Sequence, residues 1–205
     1  MNIMKKLLLT LALAVVATAS AFAQIGVTAG YANSVATYHY GSSSTKDPAM
    51  NGGFIEAFYQ LPLTDNLFIE PALRYTLLTS TQSATALGAT FTGTRTEHYI
   101  GVPVMAHLQY ELANAVKVFL FAGPTFEYGV SGTQKSGVGS ISGTSNVFDE
   151  YYSPLDMLIG GGVGAEFKNL RLSAGYHYGF LDRDGKDTDV TLRDSQILIG
   201  LSLLF

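Results

Sequence analysis

Four histidines, an aspartate-rich segment and seven scattered charges are the residues of this chain that could carry chemistry. A hydrolytic site on a strand needs a histidine within reach of a nucleophile, and a carboxylate to orient it. None of His39, His98, His107 and His177 has a serine two residues away, the spacing that would put both on one strand face. No nucleophile has an evident base partner, so no catalytic residue is expected. The chain has no cysteine, which excludes thiol catalysis and thiolate metal sites. Asp182, Asp184, Asp187 and Asp189, with Gly185 among them, resemble a calcium loop, yet their order departs from that of an EF-hand and the closing glutamate is missing. A solvated loop is expected there, with no metal and no cofactor. Gly160, Gly161, Gly162 and Gly164 lack the spacing of a phosphate loop, and no helical pattern follows them. They read as tight strand packing.

The seven charges are Glu56, Glu70, Arg74, Lys117, Glu127, Glu166 and Arg171, and each falls on the polar side of an alternating stretch. If those stretches cross a membrane as a closed cylinder, all seven face its lumen. They could form a conduction or proton path, because charge at membrane depth is costly and often purposeful. They could equally form a plug of paired charges whose attraction offsets their desolvation. Water-filled lumens begin at about 16 strands. A narrower barrel favours the plug.

The elements that hold these charges are strands. From 67 to 77 the odd positions read Leu, Ile, Pro, Leu, Tyr, Leu, while the even ones include Glu70, Arg74 and Thr76. The same split sets Ile55, Ala57, Tyr59 and Leu61 against Glu56 and Gln60, and Ile100, Val102, Val104, Ala106 and Leu108 against Gly101 and His107. It recurs over 118–128, 157–167, 170–180 and 196–205, and an opening strand at 25–38 brings the count to eight. Connections alternate in length. Short ones fall at 62–66, 111–114 and 168–169; long ones, rich in Ser, Thr, Gly and Asp, fall at 40–52, 79–95, 130–154 and 182–191. With an even count and short turns inside, both termini face the periplasm. Pro71, Pro103 and Pro124 each remove a ladder donor, so bulges or rim positions are expected at them.

Composition separates a membrane barrel from a soluble one: 47% of residues are hydrophobic and 14% charged. The non-apolar face is built from glycines, small polar residues and isolated charges, where a water-facing sheet would carry many lysines and glutamates. Tyr59, Tyr110, Phe167 and Phe205 gather at the short-turn ends, and Tyr75, Tyr128, Tyr176 and Tyr178 toward the loop ends. Two aromatic belts of this kind suit the two lipid–water interfaces. A sheet crosses lipid only if it closes on itself, so the first strand is expected to pair with the last.

The first residues form an export leader: Lys5 and Lys6, an apolar run over 7–16, then Ala21-Phe22-Ala23 as a cleavage site. The run is too short for a spanning helix, which takes about 20 residues. Two parts are expected: a signal peptide at 1–23 and a barrel domain at 24–205. Removal of the leader leaves ten basic against sixteen acidic residues, an excess that disfavours nucleic acid as a partner.

At the end of the chain, Gly200, Leu203 and Phe205 match the assembly signal of outer-membrane barrels, although Leu198 stands where a polar residue is usual and Gln196 lies two further back. The stretches 99–110 (YIGVPVMAHLQY), 118–128 (VFLFAGPTFEY) and 159–167 (IGGGVGAEF) resemble the porin-family, PorT-like small barrels common in Bacteroidetes-type bacteria. The resemblance implies an all-β, up-and-down, eight-stranded antiparallel transmembrane barrel in the outer membrane. It implies lipid and the barrel-assembly machinery as partners, with periplasmic or extracellular proteins as further candidates. The expected role is structural or surface interaction with a plugged lumen. Membership of a secretion or assembly system is the alternative, and a lipid-modifying enzyme a third reading.

Overall fold

A computed structural model describes residues 24–86, 89–113, 116–138, 141–150, 152–184 and 190–205. The leader at 1–23, and Gly185, Asp187 and Asp189 of the aspartate-rich segment, lie outside these residues. Eleven strands follow in order: β1 (Ile25–Tyr40), β2 (Ser43–Lys46), β3 (Met50–Tyr59), β4 (Leu61–Pro62), β5 (Leu67–Ala86), β6 (Ala89–Ala113), β7 (Val116–Val138), β8 (Ile141–Asn146), β9 (Leu155–Phe167), β10 (Leu170–Gly179) and β11 (Val190–Leu204). One short helical turn, α1 (Val147–Glu150), lies between β8 and β9.

Eight of the strands close a ring in the order β1-β3-β5-β6-β7-β9-β10-β11, and β11 pairs antiparallel with β1 from Gly26–Leu204 to Tyr40–Val190. Every backbone edge within the ring thereby finds a partner, the condition for a sheet to sit in lipid. β2, β4 and β8 are annexes paired with β1, β5 and β7. Among the described residues no helix is long and apolar enough to cross a membrane.

The period-two pattern sets the faces. Leu73, Leu120 and Ile199 point outward and are exposed, whereas Glu70 and Arg74, on the other parity of the same sheet, are buried. Leu120, a residue near mid-height, is 57% exposed. Tyr110, Phe167 and Phe205 stand exposed at the short-turn end, and Tyr75, Tyr128 and Tyr176 at the other.

Three expectations need correction. The polar stretch 79–95 is a strand hairpin, in which β5 and β6 keep pairing from Leu67–Leu108 to Ala86–Ala89. Most of 130–154 is likewise strand, and 40–52 contains β2 and the start of β3. Cross-strand threonine pairs hold the hairpin without an apolar face. Second, the prolines cause no bulge. Pro71 opposes Val104 and Arg74 opposes Gly101, so the register is unbroken, and Pro124 opposes Ile159 within a continuous ladder. Each proline only deletes rungs: Pro71 lies where the ladder to β3 and β4 skips Tyr59 and Gln60. The register shifts lie elsewhere, between His98 and Tyr99 and between Glu111 and Ala113.

The third correction concerns the lumen, which holds large aromatic rings as well as small residues. Phe58 stands opposite Gly26, Phe54 opposite Gly30, Phe119 opposite Gly164 and Phe121 opposite Gly162. A Cβ added to these glycines would fall 2.1–2.5 Å from the facing ring. The glycines are therefore seats: a strand without a side chain lets its neighbour's ring lie flat across it.

Candidate functional site

Two regions could act on something: the lumen and the outer mouth. In the lower lumen Arg171 is the hub. Its guanidinium donates to Glu70 at 2.7 Å and to Glu166 at 3.1 Å, and lies 4.9 Å from the centre of the Phe119 ring. Glu70 also accepts from Gln60 at 3.1 Å, and Lys117 Nζ lies 3.5 Å from Glu166 at the short-turn rim. Register explains the cluster, since Arg171 opposes Glu166 across β9–β10 and Lys117 opposes it across β7–β9. Arg74 and Glu56 face each other across β3–β5 and are joined at 2.7 Å. Glu127 accepts from Gln196 at 2.8 Å. All seven charges singled out from the sequence thus lie in one lumen column, six of them engaged with a lumen side chain of opposite charge and Glu127 with an amide.

His107 is buried beside this column, stacked against Phe68 at 4.7 Å and Phe121 at 5.4 Å between ring centres. His177 is buried over Gly160, and His98 bonds the Tyr75 hydroxyl at 2.6 Å. Among the described residues no histidine is hydrogen-bonded to a serine, and no three His, Asp or Glu side chains converge as metal ligands. The space left around Glu56, Arg74, His107 and His177 is a cavity of about 50 Å³.

The mouth is closed by two arginines that the sequence did not point to. Arg183, 2% exposed, is salt-bridged to Asp194 and donates to the Tyr99 hydroxyl and to the Ser153 carbonyl, both at 3.2 Å. It comes from the aspartate-rich segment, and its side chain turns inward. Asp182 stays exposed and accepts the Leu192 N–H at 2.9 Å, a turn role. Arg95 is salt-bridged to Glu97, donates to the Tyr152 hydroxyl at 2.9 Å and reaches Asp47 at 3.4 Å. Burial raises Tyr152 above the usual phenol range, so it remains a protonated hydroxyl between Arg95 and Tyr38. Phe148 of α1 fills the notch at Gly129 and Gly132 and meets Tyr99 edge-on at 5.7 Å. Asp194 on β11 and Arg95 and Glu97 on β6 all sit at lumen parity, so alternation carried a sign of this cluster. Arg183, the partner of Asp194, comes from a segment with no period.

Above these clamps, β5–β8 and the β2–β3 connection enclose a cleft of about 720 Å³ open to the outside.

The chain matches the family described as "Outer membrane protein beta-barrel domain" over residues 17–184. No characterised sequence relative matches it. Among solved structures it is similar to Ail, the attachment invasion locus protein of Yersinia pestis, in complex with the heparin analogue sucrose octasulfate. That likeness has 14% identity and a TM-score of 0.47, and covers 89% of this chain and 99% of that one. Neisserial surface protein A gives 18% identity and a TM-score of 0.45, covering 88% and 97%. OprG from Pseudomonas aeruginosa gives 8% and 0.48, covering 89% and 95%. The outer membrane enzyme PagL gives 13% and 0.43, covering 84% and 98%. With most of its length matched to the family and its strands closed into an eight-membered antiparallel ring, the chain belongs to the outer membrane β-barrel domain family and is a protein of the outer membrane.

Proposed function

We propose that this protein is a surface-interaction barrel: its lumen is sealed, it catalyses no reaction, and its work is done by the strands that project outward. The observation that carries this reading is the contrast in free space. The lumen cavity between Glu56, Arg74, His107 and Arg171 measures about 50 Å³ amid paired charges and seated rings, while the cleft at the mouth measures about 720 Å³. β6 runs for 25 residues and β7 for 23, about twice the 9–11 needed to cross a bilayer. His39 stands opposite Ser44 and His98 opposite Ser131 across the strands, but among the described residues neither pair is hydrogen-bonded, and His98 bonds the Tyr75 hydroxyl instead, which supports a non-enzymatic role. Lipid covers the outward apolar face in this reading, and Gly200, Leu203 and Phe205 address the chain to the assembly machinery.

Single-channel recording in planar bilayers tests the sealed lumen. No steady conductance is expected; large stable openings would overturn it. A second reading is a membrane component of a secretion or assembly system, as the PorT-like resemblance implies. Leu63 and Leu112, apolar and exposed beside short turns, favour it, because they offer a contact to periplasmic proteins. Specific co-purification of such proteins, lost on substituting both leucines with serine, would select it.

A further inference from the structure

Beyond the last rung joining β3 to β5, Asn51 opposite Thr79, the strands β5 to β8 continue as a sheet that stands clear of the barrel. Its two faces differ. On one, Thr79, Thr81 and Thr85 bond Thr96, Thr94 and Thr90 across the strands at 3.4, 3.3 and 3.3 Å. Those hydroxyls satisfy one another. The opposite face lines the cleft and is built in rows: Gln82, Gly93 and Ser136 form one, Ser80, Arg95 and Gln134 the next. Among the described residues, the side chains of Ser80, Gln82, Gln134 and Ser136 have no hydrogen-bond partner.

Gly93 leaves a notch in the middle of this face, with the Gln134 amide 3.5 Å from where a Cβ would stand. Phe91 lies one row further out on the same face, 47% exposed. The wall thus joins an aromatic ring, a notch and a rim of amides and hydroxyls, each able to donate and accept. That combination fits a molecule with apolar C–H faces and a rim of hydroxyls.

Charge narrows the class. Among the described residues, the ionisable lining residues are Asp47, Arg95, Glu97 and Asp194; the one cation of these, Arg95, is held by Glu97 and Asp47, while Asp194 is held by Arg183. Among the described residues a phosphate or sulfate would meet three carboxylates and no uncommitted cation. A purely apolar ligand would strip water from the amides without replacing it.

We propose that this cleft binds a neutral oligosaccharide, with one sugar's C–H face on Phe91 and its hydroxyls on Gln82, Gln134, Ser80 and Ser136. The assignment rests on the reading that the outer end, rather than the lumen, does the work. A volume of about 720 Å³ lies within the usual range for small-molecule sites.

The full chain, folded in lipid nanodiscs, is titrated calorimetrically with oligosaccharides derived from dextran, mannan, cellulose and chitin, and with a heparin oligosaccharide as the anionic probe. At least one neutral probe should saturate with a Kd between about 10 µM and 1 mM. Phe91→Ala, and Gln82→Ala combined with Gln134→Ala, should each weaken it by about tenfold. Thr81→Ala, on the other face, should leave it unchanged. Gel mobility before and after boiling confirms that each variant is folded. Failure of all four neutral probes to saturate, preference for heparin, or indifference to Phe91→Ala overturns the assignment. Conductance of the same preparation separates the two readings: a silent barrel that binds no sugar loses only this proposal, and a conducting one loses the sealed lumen whether or not sugar binds.

Discussion

Arg171→Ala is the sharpest test of whether the lumen is a dry, paired plug or a hydrated path. The substitution removes one buried cation and leaves Glu70 and Glu166, both buried, without their strongest partner. Breaking a buried ion pair from one side costs about 3–5 kcal/mol, because the orphaned charge keeps its desolvation penalty. Lost contact with the rings of Phe119, Phe58 and Phe68 adds to this, at up to about 2 kcal/mol for a desolvated cation–π pair. The residual partners, Gln60 for Glu70 and Lys117 for Glu166, soften the loss, so about 3 kcal/mol is the working figure. Lys117→Ala is the internal control. Its side chain is 40% exposed, and its ion pair should be worth no more than about 1 kcal/mol. The assay is reversible urea unfolding in detergent or lipid vesicles, followed by tyrosine fluorescence and gel mobility. Glu70→Gln in the Arg171→Ala background should recover part of the loss, since it removes a charge that has nowhere to go. If Arg171→Ala costs under about 1 kcal/mol and matches Lys117→Ala, water is solvating these carboxylates and the plug argument fails.

The seats can be probed directly: Gly164→Ala would place a Cβ 2.1 Å from the Phe119 ring, and should lower stability by about 1–3 kcal/mol in the same assay, with partial recovery in Gly164→Ala/Phe119→Leu. Orientation in the membrane is tested by Leu120→Arg, expected to cost about 2–4 kcal/mol in lipid, against Thr81→Arg on the projecting hairpin, which loses one threonine pair and is expected to cost under about 1 kcal/mol. Arg183→Leu leaves Asp194 buried without its cation and frees the Ser153 carbonyl; the connection around Ser153 should then become cleavable by external protease on intact vesicles, with the barrel strands still protected.

Strand number and facing were legible from residues alone because they depend on a local period, and membrane setting because the polar face carries few charges and aromatics gather at both strand ends. Alternation at 67–77 sends Leu73 to lipid and Glu70 to the lumen whatever the rest of the chain does. Projecting strands were read as loops because polar Ser and Thr stretches carry no alternation, and their pairing rests on threonine-to-threonine bonds that only the partner strand reveals. The lumen rings were missed for a related reason. Phe54, Phe119 and Phe121 break the polar parity, and what makes them fit is a glycine directly opposite on another strand.

Period two set which side of its strand each residue takes, and the sparse charge of the polar face with aromatics at both strand ends made that sheet a membrane barrel with its charges inside. Tertiary structure alone decided which charge meets which: Glu70 and Arg171 lie 101 residues apart and are joined by the stagger of a closed ring. The same holds for Arg183, which leaves an aspartate-rich segment to meet Asp194 on the final strand. Contacts across a cylinder depend on shear and closure, which no local pattern encodes.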